Sequence, residues 1–271
     1  MEKTIYRDAN MTKRIIIAGL KGGEGATSVT ANLANAFERL NQKTLSIDCT
    51  KMNSLKLHFS TKMEISQGWG INAINNHVLE EAAFESPQGV KFFPFGDLSF
   101  QQMQEFETTK RHIFKTLLNE LINVEDTFQW QLILLEHIIE NQNEYECLLD
   151  SADLICLVLT PGPSHYHLLQ QKILNSNINL YQQEYLAKTR FLVNQFHVES
   201  TVSRDFLMVL QKELTMRLVP VYLHYDPTMI ESLANLTNVM HYAPQSLLAH
   251  DFQALAYWYL SSFSSEGQFG T

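Results

Sequence analysis

Residues 19–28 read Gly19-Leu20-Lys21-Gly22-Gly23-Glu24-Gly25-Ala26-Thr27-Ser28. An apolar run, Ile15-Ile16-Ile17-Ala18, precedes them, and Val29, Leu33, Phe37 and Leu40 follow at helical spacing. A buried strand, a glycine-rich turn and an amphipathic helix in direct succession form the context of a phosphate-binding loop. Glycines let backbone N–H groups close around an anion, and the start of a helix adds a favourable dipole. Gly22, Gly23, Gly25, Ala26, Thr27 and Ser28 are therefore the expected phosphate cradle, with the Thr27 hydroxyl placed to ligate Mg²⁺. The usual motif has lysine immediately before that hydroxyl residue, and here the position is Ala26. The loop's single lysine is Lys21, at its start. A missing charge-assisted contact to phosphate is worth roughly 1.5–3 kcal/mol, or on the order of 10- to 100-fold in affinity.

The rest of the chain reads as alternating strands and helices. Thr44 to Asp48 is a second strand, and Ile71 to Phe84 reads as a helix. Val90 to Phe95, Trp130 to Leu135, Leu154 to Leu159, Arg190 to Val193 and Leu218 to Leu223 read as further strands. Helices are expected over Ser99 to Val124, around Tyr145 to Leu149, after Pro163, and over Val202 to Leu214, Thr228 to Leu236 and Ser246 to Phe263. Several strands are apolar on both faces, which predicts an α/β fold: three layers, a mostly parallel sheet covered by helices on both faces. The expected division is a flexible tail over 1–12, a single nucleotide-binding domain over 13–263 and a polar tail over 264–271.

Ligands of such sheets sit at the carboxyl ends of the strands. That rule nominates the Lys21 loop, Asp48, Glu136, Thr160 and Asn194. Asp48 is placed to hold the Mg²⁺ water shell or to orient an attacking water, or else is a solvated acid or cap. Glu136 closes a buried strand where an aspartate usually engages Mg²⁺ through water, so Thr27, Asp48 and Glu136 form the expected metal set. Asn194 is placed to hydrogen-bond a base edge. His165 and His167 read as surface or capping residues, and Tyr257-Trp258-Tyr259 as packing of the last helix.

Composition narrows the function. The 271 residues carry a formal net charge of -9, which argues against broad nonspecific binding of nucleic acid. The 3 cysteines, Cys49, Cys147 and Cys156, are odd in number and widely spaced; they read as reduced thiols of a cytoplasmic protein. Met1 to Lys13 lacks the apolar core of a signal peptide, and no apolar run reaches membrane-spanning length.

Lys21-Gly22-Gly23-x-Gly25-x-Thr27 resembles the deviant Walker A motif of the MinD/ParA group of SIMIBI P-loop NTPases. The resemblance implies ATP and Mg²⁺ as cofactors and a homodimer in which Lys21 reaches the partner's nucleotide. It also implies roles for Asp48 as a catalytic acid, Asn194 at the adenine, and His224 and Asp226 in the turn near the base. Over nearly the whole chain the sequence further resembles the BcsQ family of bacterial cellulose biosynthesis proteins. The shared segments include Leu45-Ser46-Ile47-Asp48-Cys49, Gln67-Gly68-Trp69, Phe93 through Ser99, Leu192 through Phe196 and Pro220 through Ala234. That family implies a BcsR-like small partner, docking on the cytosolic parts of the cellulose synthase complex, and only indirect recruitment to the inner membrane. Ala26, Thr50 and Glu136 replace the usual Lys, Asp and Asp, which implies slow hydrolysis or none. Two alternatives stay open: a ParA/MinD-like ATPase that positions cellular cargo, and a pseudo-NTPase scaffold that binds no nucleotide.

Overall fold

The computed structural model describes residues 12–175 and 181–264. Both expected tails fall almost wholly outside the described residues. Thr12, assigned to the first tail, is buried, and its hydroxyl donates to the carbonyls of Glu125 and Phe128.

Seven strands form one sheet: β1 (Lys13–Gly19), β2 (Thr44–Asp48), β3 (Phe84–Glu85), β4 (Lys91–Phe93), β5 (Trp130–Leu134), β6 (Leu154–Leu159) and β7 (Thr189–Val193). Their order is β3-β4-β2-β5-β1-β6-β7. All pairings are parallel except that of the short edge strand β3 with β4. β1 lies between β5 and β6, in register Ile15↔Leu132 on one side and Ile15↔Leu154 on the other.

Among the described residues the helices are α1 (Ala26–Arg39), α2 (Trp69–Ile74), α3 (Phe100–Asn123), α4 (Gln142–Ser151), α5 (Pro163–Leu169), α6 (Gln183–Ala187), α7 (Thr201–Leu214), α8 (Thr228–Ala234), α9 (Val239–Tyr242) and α10 (Leu247–Ser264). They cover both faces because strand side chains alternate. Ile16, Ile133, Ile155 and Leu157 point into one core, with Trp69, Phe106, Phe114, Leu148 and Leu210. Ile15, Ile17, Leu132 and Cys156 point into the other, with Val29, Phe37, Phe252 and Tyr259. Strands buried on both faces cannot alternate apolar with polar, so each reads as a continuous apolar run. All three cysteines are free thiols, Cys49 and Cys156 buried.

Two expected elements differ. The helix expected over Ile71–Phe84 is only the six-residue α2, followed by a 3₁₀ turn (Leu79–Ala82) and β3. The strand expected over Leu218–Leu223 follows β7 irregularly. Val219 and Leu223 donate backbone N–H bonds to Phe191 and Val193, but only isolated bridges form.

α2 is set by the Gly68-Trp69-Gly70 element. A Cβ on Gly68 would lie 2.2 Å from the Gly96 nitrogen, so only glycine permits this backbone crossing. The crossing seats the Trp69 ring among Phe95, Phe106 and Phe114, with its indole N–H donating to the Asp48 carbonyl at 2.7 Å. Trp69→Ala is expected to cost about 3–5 kcal/mol. Trp69→Phe should recover much of the packing and still lose about 1–3 kcal/mol for the orphaned carbonyl. Urea unfolding midpoints of the three proteins check both values.

Candidate functional site

The loop between β1 and α1 turns sharply because Gly23 and Gly25 adopt positive φ, +88° and +82°. Three hydrogen bonds hold it. Leu20 donates its N–H to the Val158 carbonyl at 2.8 Å. Asn194, just past β7, donates its side-chain amide to the Glu24 carbonyl at 2.7 Å. Gln195 donates likewise to the Gly23 carbonyl at 3.2 Å. Gly25 is required for this approach, because a Cβ there would sit 2.5 Å from Asn194 Nδ2.

Gly25 is also the N-cap of α1, which has no side-chain cap and no acid in its first turn. The first N–H groups of a helix have no intrahelical acceptor. Here no side chain of the cap supplies one either, so the donors and the positive end of the helix dipole remain for an anion. They open on a cavity of about 380 Å³ lined by the loop from Lys21 to Ser28 together with Thr50, His58, Glu136 and Leu233. A smaller cavity of about 150 Å³ shares Gly25 and Ser28 with the first. It is walled by Asn194, His224, Tyr225, Asp226 and Met229. A phosphate chain over the loop and a base in the side cavity fit this arrangement.

The expected site residues thus divide. Gly22, Gly23, Gly25, Ala26, Thr27, Ser28 and Glu136 all line the larger cavity, with Lys21 exposed at its rim. Asn194, His224 and Asp226 line the smaller one. His224 is fixed by Asp251, whose Oδ2 accepts from its backbone N–H at 2.9 Å and lies 2.8 Å from Nδ1. Asp226 Oδ1 accepts from the N–H and hydroxyl of Thr228 at the start of α8.

Asp48 is not brought into the cavity. It is fully buried. Its Oδ1 accepts from the Thr50 N–H and hydroxyl at 2.9 and 2.6 Å, and its Oδ2 from the Leu55 N–H at 3.0 Å. The wall position falls to Thr50. Burial pushes the Asp48 carboxyl up to about 6 despite these three donors. Among the described residues no cluster of three or more His, Cys, Asp or Glu could hold a metal ion. A Mg²⁺ here would rest on the Thr27 hydroxyl, Glu136 and the ligand's own phosphates.

Two residues had no such signal in the sequence. His58 is buried at the cavity wall, 3.3 Å from the Ser28 hydroxyl, and burial holds its imidazole down at about 4. It lies in a short 3₁₀ turn (Leu55–Phe59) within a stretch lacking periodicity. His165, expected as a surface or capping residue, is half-buried with Nε2 2.7 Å from Glu24 Oε1. Burial pushes the Glu24 carboxyl up to about 7, countered in part by Thr160 and Lys21. Burial also lowers His165.

The model of the family described as "Cellulose biosynthesis protein BcsQ" matches residues 11–260. The Escherichia coli (strain K12) protein of that name is 27% identical over 252 residues, covering 92% of this chain and 94% of the relative. Among solved structures, a ParA family ATPase from Chlorobium tepidum TLS superposes with a TM-score of 0.71 at 18% identity. It covers 92% of this chain and 98% of its own. The septum site-determining protein MinD from Pyrococcus horikoshii OT3, solved with Mg-ADP, gives 0.70 at 20% identity, with 94% and 100% covered. The fold is that of these P-loop ATPases.

Gly25→Ala is expected to cost about 1–3 kcal/mol, from positive φ and the clash with Asn194. Asn194→Ala should cost about 1–2 kcal/mol. The double variant should lose less than the sum, because the first change already breaks the second residue's bond; unfolding midpoints give the cycle. Glu24 and Asp48 also set a pH dependence. Both pKa values are raised on folding, so the native state holds protons that the unfolded chain has released. Their stabilising share is complete below the ordinary carboxylate range and is lost as pH rises through about 6 for Asp48 and about 7 for Glu24. His58, held down at about 4, and His165 act oppositely, their shares falling as pH drops below the usual histidine value. The two sets oppose one another up to about pH 6.5, so the test is the difference between proteins: Glu24→Gln removes one declining share, and its urea midpoint should rise relative to that of wild type as pH increases from 5 to about 7.

Proposed function

Because the chain belongs to the cellulose biosynthesis protein BcsQ family, we propose that it is an ATP-binding accessory of bacterial cellulose synthesis and secretion whose nucleotide stabilises a homodimer. The observation that carries this reading is the uncapped N-terminus of α1 beneath the glycine loop, facing a cavity that meets a second one at Gly25 and Ser28. Gly22, Gly23, Gly25, Ala26, Thr27 and Ser28 would hold the phosphates. Thr27 and Glu136 would face Mg²⁺, which when bound neutralises phosphate charge. Asn194, His224 and Asp226 wall the space for a base.

Hydrolysis is proposed to be weak or absent. Phosphoryl transfer depends on positioned charge: Ala26 has no cation, Thr50 no carboxylate, Glu136 stands where Asp is usual, and Asp48 spends its oxygens within the segment that follows β2. Asp48 is better assigned to shaping the loop that carries Thr50. Lys21, exposed at the rim, is free in position to reach across a symmetric interface to a second nucleotide. The BcsR-like partner, docking on the cytosolic face of the synthase, and peripheral recruitment to the inner membrane follow from the family. No described helix is long and apolar enough to cross a membrane.

Equilibrium binding of labelled ATP with Mg²⁺ tests the reading, with saturable binding expected. No binding, alone or with the small partner, would overturn it. Sedimentation should show a dimer with ATP that Lys21→Ala weakens; the same oligomer with and without ATP, and in the variant, would remove the role across the interface. Ala26→Lys should tighten ATP binding on the order of 10- to 100-fold, and unchanged affinity would mean another group already fills the lysine's place.

A further inference from the structure

Glu24 is the loop residue that the phosphate site does not call for. It places a carboxylate beneath a cradle built for an anion. Its side chain is 1% exposed, folded back against Gly19. Both carboxylate oxygens are buried without a well-aligned hydrogen bond, and the partial stabilisation that Thr160 gives them does not offset their burial. His165, from the turn between β6 and α5, brings Nε2 to 2.7 Å of Oε1, a close contact that is not aligned as a hydrogen bond. The Thr160 hydroxyl lies 2.8 Å from the same ring nitrogen. Thr160, from the end of β6, and then the Lys21 ammonium, from the loop itself, favour the ionised carboxylate and offset part of the cost of burial. From the end of β7, Asn194 spends its uncharged amide on the Glu24 backbone carbonyl.

We propose that the Glu24–His165 pair is a proton-loading element of the loop, taking up one proton from solvent when the loop captures a polyphosphate. The inference rests on the nucleotide reading above. With no proton to share, the pair is an ionised carboxylate beside a neutral imidazole and carries one negative charge. With one proton, placed on either partner, its net charge is zero. A like charge beside a partly desolvated site raises the affinity of that site for protons, so a bound polyphosphate favours the loaded pair. By linkage, the loaded pair favours the polyphosphate equally. Burial already drives Glu24 up and His165 down, which brings the single-proton transition near neutral pH. The pair also ties the loop to the turn after β6, so the proton sits where loop and sheet edge meet.

The test is calorimetric titration of the full chain with MgATP at pH 8, above the range where the ligand's own phosphates titrate, in two buffers of different ionisation enthalpy. Wild type should take up a substantial fraction of one proton, and its Kd should weaken about tenfold between pH 6.5 and 8.5, the effect of a one-unit shift in pKa. In Glu24→Gln both the uptake and the pH slope should vanish while binding persists. Binding with no proton uptake in wild type, or with the same uptake and slope in Glu24→Gln, overturns the proposal and leaves the nucleotide site standing. No saturable MgATP binding at any pH overturns both. If Glu24→Gln does not fold, the wild-type buffer pair alone decides, because zero uptake at pH 8 is incompatible with a pair that loads.

Discussion

The carboxyl edge of the sheet is organised by one hydrogen bond, from the Asn194 side chain to the carbonyl of Glu24. β1 and β7 are not neighbours, since β6 separates them. The bond therefore spans the strand between and fixes the loop against the far side of the sheet. It is buried, where a lost partner costs more than at the surface. It needs a glycine at position 25, because any Cβ would occupy the space of the amide nitrogen. A trans peptide directs its N–H opposite to its C=O, so anchoring the Glu24 carbonyl turns the Gly25 N–H away from Asn194. The glycine pattern read in the sequence as conformational freedom is, at this position, a packing requirement.

A second anchored region faces the loop across the larger cavity. After β2 the chain is tied at several points in succession. Asp48 accepts from Thr50 and Leu55, Asn53 donates to Asp97 at 2.8 Å, and Lys56 donates to the Ile65 carbonyl. Trp69 closes the set by donating to the Asp48 carbonyl from inside the aromatic core. Residues 48–56 thus depend on the packing of α2 and α3, which connects the cavity wall to the core under it. A segment so tied presents Thr50 and His58 in one arrangement, which suits binding better than a cycle of large movements.

The strand–loop–helix unit was legible because its signals are local: a continuous apolar run, glycines, then a period of 3.6. The direction of a side chain at a strand end is not local in that way. Asp48 could be placed at the right height in the sheet, but its orientation depends on whether Thr50 consumes its lone pairs. The pattern that does so, aspartate followed two residues later by threonine, recurs at Asp226 and Thr228 with the same pair of bonds. It is a turn signature and was available to be read. His58 offered no such handle, because a single 3₁₀ turn has no periodicity. The 218–223 segment misled for the opposite reason: its apolar residues suit a strand, but the chain follows β7 only through scattered bonds. His165 could not be paired with Glu24 from the sequence, since 141 residues of chain separate two groups that the sheet alone brings together.

The two buried acids at this edge are different kinds of residue, although burial raises both. Asp48 accepts three hydrogen bonds and is 0% exposed. It is a satisfied group whose charge is compensated by neighbouring dipoles, and removing it would orphan the donors of Thr50 and Leu55. Glu24 has no well-aligned donor on either oxygen, and Thr160 offsets only part of its burial. A buried carboxylate so weakly satisfied gains by taking up a proton or by drawing on a nearby cation, and both routes are present here in His165 and Lys21. Structural demands alone do not account for such a group, since the same loop geometry is met by the backbone, the glycines and Asn194. What distinguishes Glu24 is therefore its charge state rather than its packing, and that state is sensitive to any anion held by the loop above it.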